Sequence, residues 1–538
     1  MRRTGRKIRF LPMARNLCAL VLLILLNCTT TNAEERPNIV IFLVDDVGFG
    51  DIKDLNPQGG IPTPVLDDLV TNGLSFVNAH SSASVCAPTR YALLTGNRVY
   101  RGRRPMGTWA PFDGSQILKG QMTIADMLRK NDYATAFFGK LHLGGVKAKS
   151  GSYGQFLEGP IDHGFDYSLT LPSGIQSKPY AFFRNDRLSR WDDDKKDFVH
   201  FDSQAEVSPF YKNERMDNWS TETVGPLLMH DALNFIDKHH AKHKGKKPFY
   251  IHYSSQAGHT PYAPPKHFNV NDPMNTEEGI PISGQTTNPR TDMVYEADVA
   301  VGLFKKKLIE HKLWENTLLI FTSDNGVAKG LNSTWANPIY EDYRDGKYGG
   351  VRTEKSTTAE GSDHINGQGV IDGIPLRGKK GYCYEGGHRV PLIFHWPAQI
   401  RTRQVEQPIA LHDIYQTLAG ILNIQVPDEQ AMDSFDFSRV ILSGSEDLIR
   451  NKLMIQANRP TNSNDRSKNS WSSYSAEMRN GNLVIWKAII NNSRNAPQKS
   501  NVAELTELYN LTIDPGESKP IRDTKRSEKM LKDFTDSL

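Results

Sequence analysis

Residues 38–46 read Asn-Ile-Val-Ile-Phe-Leu-Val-Asp-Asp, an unbroken apolar, β-branched run that stops on two acids. A run of this texture makes a strand buried on both faces. Four further runs, 134–138, 249–253, 317–322 and 391–396, repeat it. Helical patterns lie between them: Thr123 can cap a helix carrying Ile124, Met127 and Leu128, and 227–236 puts Leu228, Ala232, Phe235 and Ile236 on one face. The alternation predicts an α/β fold, with a large, mainly parallel mixed sheet sandwiched between helices.

The pattern changes outward from that frame. The stretch 327–375 is rich in Gly, Asn, Asp and Tyr without sustained periodicity and reads as a long surface excursion; 412–422 is the last good helix of the large domain. From Ser438 short strands and turns, including 483–488 and 507–511, predict a small C-terminal α+β domain with an antiparallel sheet. The charged tail after Lys519 is expected to be loosely held. The domains are thus 1–33, 34–437 and 438–538.

Residues 1–33 read as a signal peptide: six basic residues and no acid, an apolar run from Leu17 to Leu26, then Thr31-Asn32-Ala33 suited to cleavage. Cys28 offers an alternative lipoprotein anchor, for which Asn27 is a poor neighbour. Export, periplasmic or secreted, is the expectation. Removing the leader takes the formal charge from +4 to about −2, and no basic patch argues for nucleic acid. No later stretch reaches membrane-spanning length. Of four cysteines only Cys86 and Cys383 remain, and in an oxidising compartment a disulfide is their default reading.

Polar residues collect just after the strands: Asp45-Asp46, Gly139-Lys140-Leu141-His142, His259, and Ser323-Asp324-Asn325-Gly326. Ligands of open α/β sheets bind at that carboxyl edge. Asp45, Asp46, Asp324 and Asn325 are hard oxygen donors, which favour calcium or magnesium over zinc. Adjacent carboxylates are easiest to explain with a cation between them; for either pair alone, helix capping is the competing reading. The segment Cys86-Ala87-Pro88-Thr89-Arg90 predicts a helix start, continued by Tyr91 to Thr95 and stopped at Gly96. Cys86 would then meet the favourable field of the helix N-terminus, with Arg90 one turn on. An inert buried cysteine is the alternative.

Taken together, these blocks resemble the formylglycine-dependent sulfatases of the alkaline phosphatase superfamily. Cys86–Arg90 looks like the maturation signature Cys-x-Pro-x-Arg, continued by Leu94-Thr95-Gly96. Asp45-Asp46, Gly139–His142, His259-Thr260-Pro261, Asp324-Asn325-Gly326, residues 380–389, Glu507-Leu508-Tyr509-Asn510 and Asp514–Glu517 follow in family order. Thr89 stands where the commonest form has Ser, and Leu141 replaces the usual Trp.

The resemblance implies an alkaline-phosphatase-like catalytic domain over 34–437 and hydrolysis of a sulfate ester of a carbohydrate or aryl alcohol. A separate maturation enzyme would oxidise Cys86 to formylglycine, whose hydrate attacks sulfur; the resulting sulfo-enzyme then eliminates sulfate. One Ca2+ per chain, with Mg2+ second, would be held by Asp45, Asp46, Asp324, Asn325 and an oxygen of residue 86. Arg90 and Lys140 would hold the diol, and His142 would take the proton that triggers elimination. His259 and Lys380 would bind sulfate and assist the leaving oxygen. His388 and Arg389 either touch substrate or brace Glu385. A phosphate or phosphonate ester hydrolase on the same scaffold, a cysteine hydrolase, and a non-catalytic binding protein with Cys86 disulfide-bonded to Cys383 are the rival readings.

Overall fold

A computed structural model describes residues 36–56, 61–105, 107–149, 152–200, 216, 218–328, 369–371, 373–457, 468–493 and 503–537. The signal-peptide reading, and nearly all of the 327–375 excursion, lie outside these residues.

Strand Asn38–Val44 is buried at every position. It pairs in parallel with Phe249–Ser254 on one side and Thr317–Ser323 on the other. Parallel pairing continues through Ala134–Lys140 to Tyr167–Leu171. On the other flank Leu392–His395 joins strand 317–323 antiparallel. Shorter outer strands complete a mixed sheet of 13 strands. The central strands read as continuous apolar runs because helices cover the sheet and leave no face for water.

Two helix groups supply that cover. Pro64–Asn72 and Val224–His243 pack on Pro289–Glu310, while Ile124–Lys130 and Ile414–Ile421 pack on Cys86–Thr95. Thr123 caps its helix as predicted, its side chain accepting from Asp126 N. Phe42 shows how sheet and helix join. Its ring lies 4.8 Å from Tyr253, 5.9 Å from Phe321 and 6.0 Å from Phe304 of helix 289–310.

The C-terminal part forms a four-stranded antiparallel sheet, Lys452–Gln456, Lys468–Arg479, Asn482–Ser493 and Glu504–Asn510, in sequence order. Side chains alternate across it. Leu453, Ile455, Tyr474 and Ile489 share a core with Cys383, Tyr384 and Ala410, whereas Met454, Trp486, Ala488 and Ile490 pack with Met530 and Phe534. Those last two belong to helix Thr524–Asp536, capped by Asp523. The loosely held tail is therefore a correction: an amphipathic helix closes the sheet's outer face. Val440 and Ile441, in helix Ser438–Ser443, pack in the large core, so the residues just after 438 are still joined to the large domain. Cys86 and Cys383 are both buried and free, which removes the disulfide reading. Among the described residues, no helix is long and apolar enough to cross a membrane.

Candidate active site

Register brings the polar strand ends together. Val44 pairs with Ser323, Leu43 with Ser254, and Ser254 with Gly139. Asp45, Asp324 and Lys140 therefore arrive at one edge. The ladder runs on past the strands, with Asp324 N donating to Val44 O at 3.1 Å and Asp45 N to Ala257 O at 3.2 Å. Gly139 has φ 100°, and a Cβ there would lie 1.9 Å from Ser254 O, so only glycine lets these strands approach. Asp46 and His142 hold φ of 60° and 58°, a left-handed conformation that non-glycine residues adopt mainly where the surroundings enforce it.

Helix Cys86–Thr95 is buried throughout and ends at Gly96, with φ 67°, where a Cβ would meet Ala431 Cβ at 2.5 Å. The Thr89 hydroxyl donates to Ala83 O at 2.9 Å and accepts from Ala83 N at 3.1 Å, pinning the approach to the helix. The family departure at Thr89 thus keeps the hydroxyl that makes this tie. Leu141 is buried in the main core, with its N donating to Leu171 O at 3.0 Å. Cys86 Sγ lies 3.3 Å from His142 Nδ1.

The residues given catalytic or ion-binding roles by sequence come together at this sheet edge. Arg90 Nη2 is 2.6 Å from Asp324 Oδ2 and 3.5 Å from Asp45 Oδ2. Lys140 Nζ is 2.6 Å from Asp45 Oδ2, and Lys380 Nζ is 2.5 Å from Asp46 Oδ1. Asn325 Nδ2 donates to Asp46 Oδ1 at 2.7 Å, and His259 Nε2 is 3.6 Å from Asp46 Oδ2.

Burial opposes charge on Asp45, but Lys140, His259, Arg90 and Lys380 outweigh it and hold the carboxyl well below its ordinary range. Burial and the nearby Asp45 charge push Asp324 up, against Arg90. This edge wants more positive charge than its own side chains supply. Burial, then Lys140 and Arg90, keep the His142 ring neutral. Burial and Lys380 bring His259 down to about 4. Lys380 is pushed up: Asp46 and Cys86 outweigh its burial.

The donor set fits a hard cation. Asp45 Oδ1 and Asn325 Oδ1 are buried and have no hydrogen-bond partner, while the opposite atoms of both groups are engaged. Asp45, Asp46 and His259 offer ligand atoms within 4.8 Å of one another. His259 Nδ1 meets Thr260 O at 2.5 Å, so the neutral ring turns a bare Nε2 toward Asp46. Two acceptors facing each other are stabilised by a cation or a proton between them.

Sequence reasoning missed Ser254, whose hydroxyl bonds Arg90 Nη1 and donates to Lys140 O at 2.8 Å. Its place as the last residue of strand 249–254 was the available signal. The question over His388 and Arg389 resolves toward bracing. Arg389 Nη1 meets Glu385 Oε2 at 3.1 Å, and His388 Nε2 meets Cys383 O at 2.9 Å.

Comparison with known proteins agrees in kind. The family model described as Sulfatase matches residues 37–424. An N-acetylgalactosamine-6-O-sulfatase of Bacteroides thetaiotaomicron is 25% identical over 537 residues, covering 94% of this chain and 93% of that one. The mouse N-acetylgalactosamine-6-sulfatase is 26% identical, over 79% of this chain and 70% of its own. A solved sulfatase described in work on glycosaminoglycan metabolism by B. thetaiotaomicron superposes with a TM-score of 0.67 at 23% identity, covering 94% of this chain and 99% of that one.

Proposed function

This chain belongs to the sulfatase family and is a sulfuric ester hydrolase, and from that premise we propose that it is an exported, calcium-dependent carbohydrate sulfatase acting through a formylglycine at position 86. The observation that carries the reading is the meeting of Cys86, at a helix start, with His142 at 3.3 Å, beside acids delivered by two separate strands. Oxidised and hydrated, residue 86 would supply the oxygen nucleophile that a sulfate ester requires. Asp45, Asp46, Asp324 and Asn325 would hold the ion, with an oxygen of residue 86. When bound, it would stabilise negative charge on that oxygen and on sulfate.

The remaining roles belong to side chains. Arg90 and Lys140, both buried against the acids, fix the orientation of residue 86. His142, held neutral, takes the proton at residue 86. Lys380, held charged, meets the sulfate and the developing charge on the leaving oxygen. An anionic ester between His259 Nε2 and Lys380 would draw a proton onto the imidazole and make it a donor. A separate maturation enzyme is required for Cys86. Export rests on the leader pattern of residues 1–33.

Two relatives named for 6-sulfated N-acetylgalactosamine make that sugar the first substrate to try. The test uses protein made in a host with a formylglycine-generating enzyme. Mass spectrometry should find the residue-86 peptide in the aldehyde form, and sulfate should be released from a 6-O-sulfated N-acetylgalactosamine or from 4-nitrophenyl sulfate. Cys86→Ala should lose at least about 100-fold in kcat. Faster turnover of a phosphate or phosphonate monoester, with residue 86 left as a thiol, would overturn the reading.

A further inference from the structure

A second buried polar cluster lies where the C-terminal sheet meets the turn that carries Lys380. Lys487 Nζ is 2.8 Å from Glu385 Oε1 and 2.7 Å from Glu517 Oε1, and all three side chains are fully buried. Glu517 Oε2 accepts from Glu385 N at 2.7 Å, and Tyr474 OH donates to Glu385 Oε1. Glu517 holds a left-handed φ of 57°, so its backbone is constrained as well as its side chain.

The cluster has the residue types of a metal site, because His80, Glu385 and His388 offer ligand atoms within 4.8 Å of one another. The contacts argue otherwise. His80 uses Nδ1 on His388 and Nε2 on Asn78 Oδ1, while His388 uses Nε2 on Cys383 O. Lys487 Nζ stands 3.4 Å from that Nε2. The cations of this cluster are the Lys487 ammonium and, on Glu385 Oε2, the Arg389 guanidinium.

A buried ion network is a poor source of stability, since an apolar core of the same volume does as well or better. Its better-attested use is to fix one arrangement. What it touches here is the turn 377–387. That turn folds on itself, with Gly386 N donating to Arg377 O at 2.6 Å and Gly387 N to Tyr384 O at 2.8 Å, and it is tied to the Asp324-Asn325-Gly326 segment by Gly326 N donating to Gly387 O at 3.0 Å. A Cβ on Gly387 would lie 2.3 Å from Tyr382 O, and one on Gly326 would lie 2.0 Å from Gly386 O, so the turn is packed backbone to backbone. At its far end Lys380 N donates to Val327 O at 2.8 Å and Gly381 N to Ser84 O at 2.7 Å, which aims the Lys380 side chain at Asp46. A shift of Glu385 is therefore passed along a rigid turn to the Lys380 amine.

We infer that Lys487, held between Glu385 and Glu517, is a positioning residue that sets Lys380 in the active site, which makes the C-terminal sheet part of the catalytic apparatus. This rests on the role given to Lys380 under the proposed function. The test is a double-mutant cycle on the matured full chain, with 4-nitrophenyl sulfate as substrate. Lys380→Ala should lower kcat about 100-fold. Lys487→Met should lower kcat about 10-fold by misplacing the amine. The double variant should be no slower than Lys380→Ala, because the two act through one group. Lys487→Met leaves two buried carboxylates facing each other, so the charge-balanced Lys487→Met/Glu517→Gln pair is run in parallel and should show the same cycle. Phe534→Ala, which loosens the same sheet from its outer face, should lower the melting temperature and leave kcat unchanged. Full kcat in both Lys487 variants, or losses that multiply in the Lys380→Ala background, would overturn the inference while leaving the site reading intact. Wild-type kcat in Lys380→Ala would instead overturn the site reading and this inference with it.

Discussion

At the residue scale, the oxygen donors and the buried acids yield separate predictions. If Asp45 and Asp324 hold the ion, Asp45→Asn and Asp324→Asn should each bind less Ca2+ by calorimetry and lose at least about 100-fold in kcat. Chelator treatment of the parent should abolish activity, and added Ca2+ should restore it better than Mg2+. Glu296 tests the electrostatics away from the chemistry. Burial pushes its carboxyl up to about 8, with Gln256 Nε2 donating to it at 3.2 Å. In the unfolded chain it ionises near 4.5, so between that pH and about 8 the folded state binds more protons. Stability should fall as pH rises through this window, by about 1.4 kcal/mol per pKa unit at most. Glu296→Gln should therefore melt higher than the parent at pH 9 and about the same at pH 4, as read by calorimetry. An equal change at both pH values would show that the carboxyl ionises normally. Asp45, Asp324 and Cys86 were legible because each sits at an element end with a local signature. Lys487 was not: its partner Glu385 is 102 residues away, and nothing in its local sequence separates it from a surface charge. Glu517 was legible only as the end of the Asp514–Glu517 block, and its contact with Glu385, 132 residues away, was not.

At the element scale, the buried strands were the easiest features to read, since a strand covered on both faces must be apolar without interruption. Their ends ran one or two residues beyond the apolar stretch, to Lys140, Ser254 and Ser323. There hydrogen bonding to the neighbouring strand outlasts the hydrophobic pattern. Helix 524–536 went unread because charge dominates its composition. The cues were nonetheless present, an Asp523 cap and apolar Met530, Leu531 and Phe534 at helical spacing. Two substitutions probe the central strands by denaturant unfolding. Phe42→Ala removes a ring packed against three others and should cost about 3–5 kcal/mol. Gly139→Ala drives a methyl group into Ser254 O and should cost more than about 1 kcal/mol. It should also depress kcat, because Lys140 is the next residue.

At the scale of the whole molecule, the site is assembled from segments remote in sequence. Arg90 and Asp324 are 234 residues apart, and Lys380 and Asp46 are 334. Ending the chain before residue 524 would strip the cover from Trp471, Met454 and Trp486. The truncated protein should melt several degrees lower and bind more of a hydrophobic dye, which thermal scanning and fluorescence would read. The burial of helix 86–95 carries a further consequence, one of timing. A catalyst that must grasp the Cys86 segment to oxidise it finds that segment sealed once Asp324 has docked on Arg90. During synthesis the segment emerges more than 200 residues before that partner does. Were residue 86 oxidised as proposed, its modification would have an opening set by the ribosome's progress along the message, and any change that speeds early collapse around residue 86 would leave a larger share of finished molecules inert.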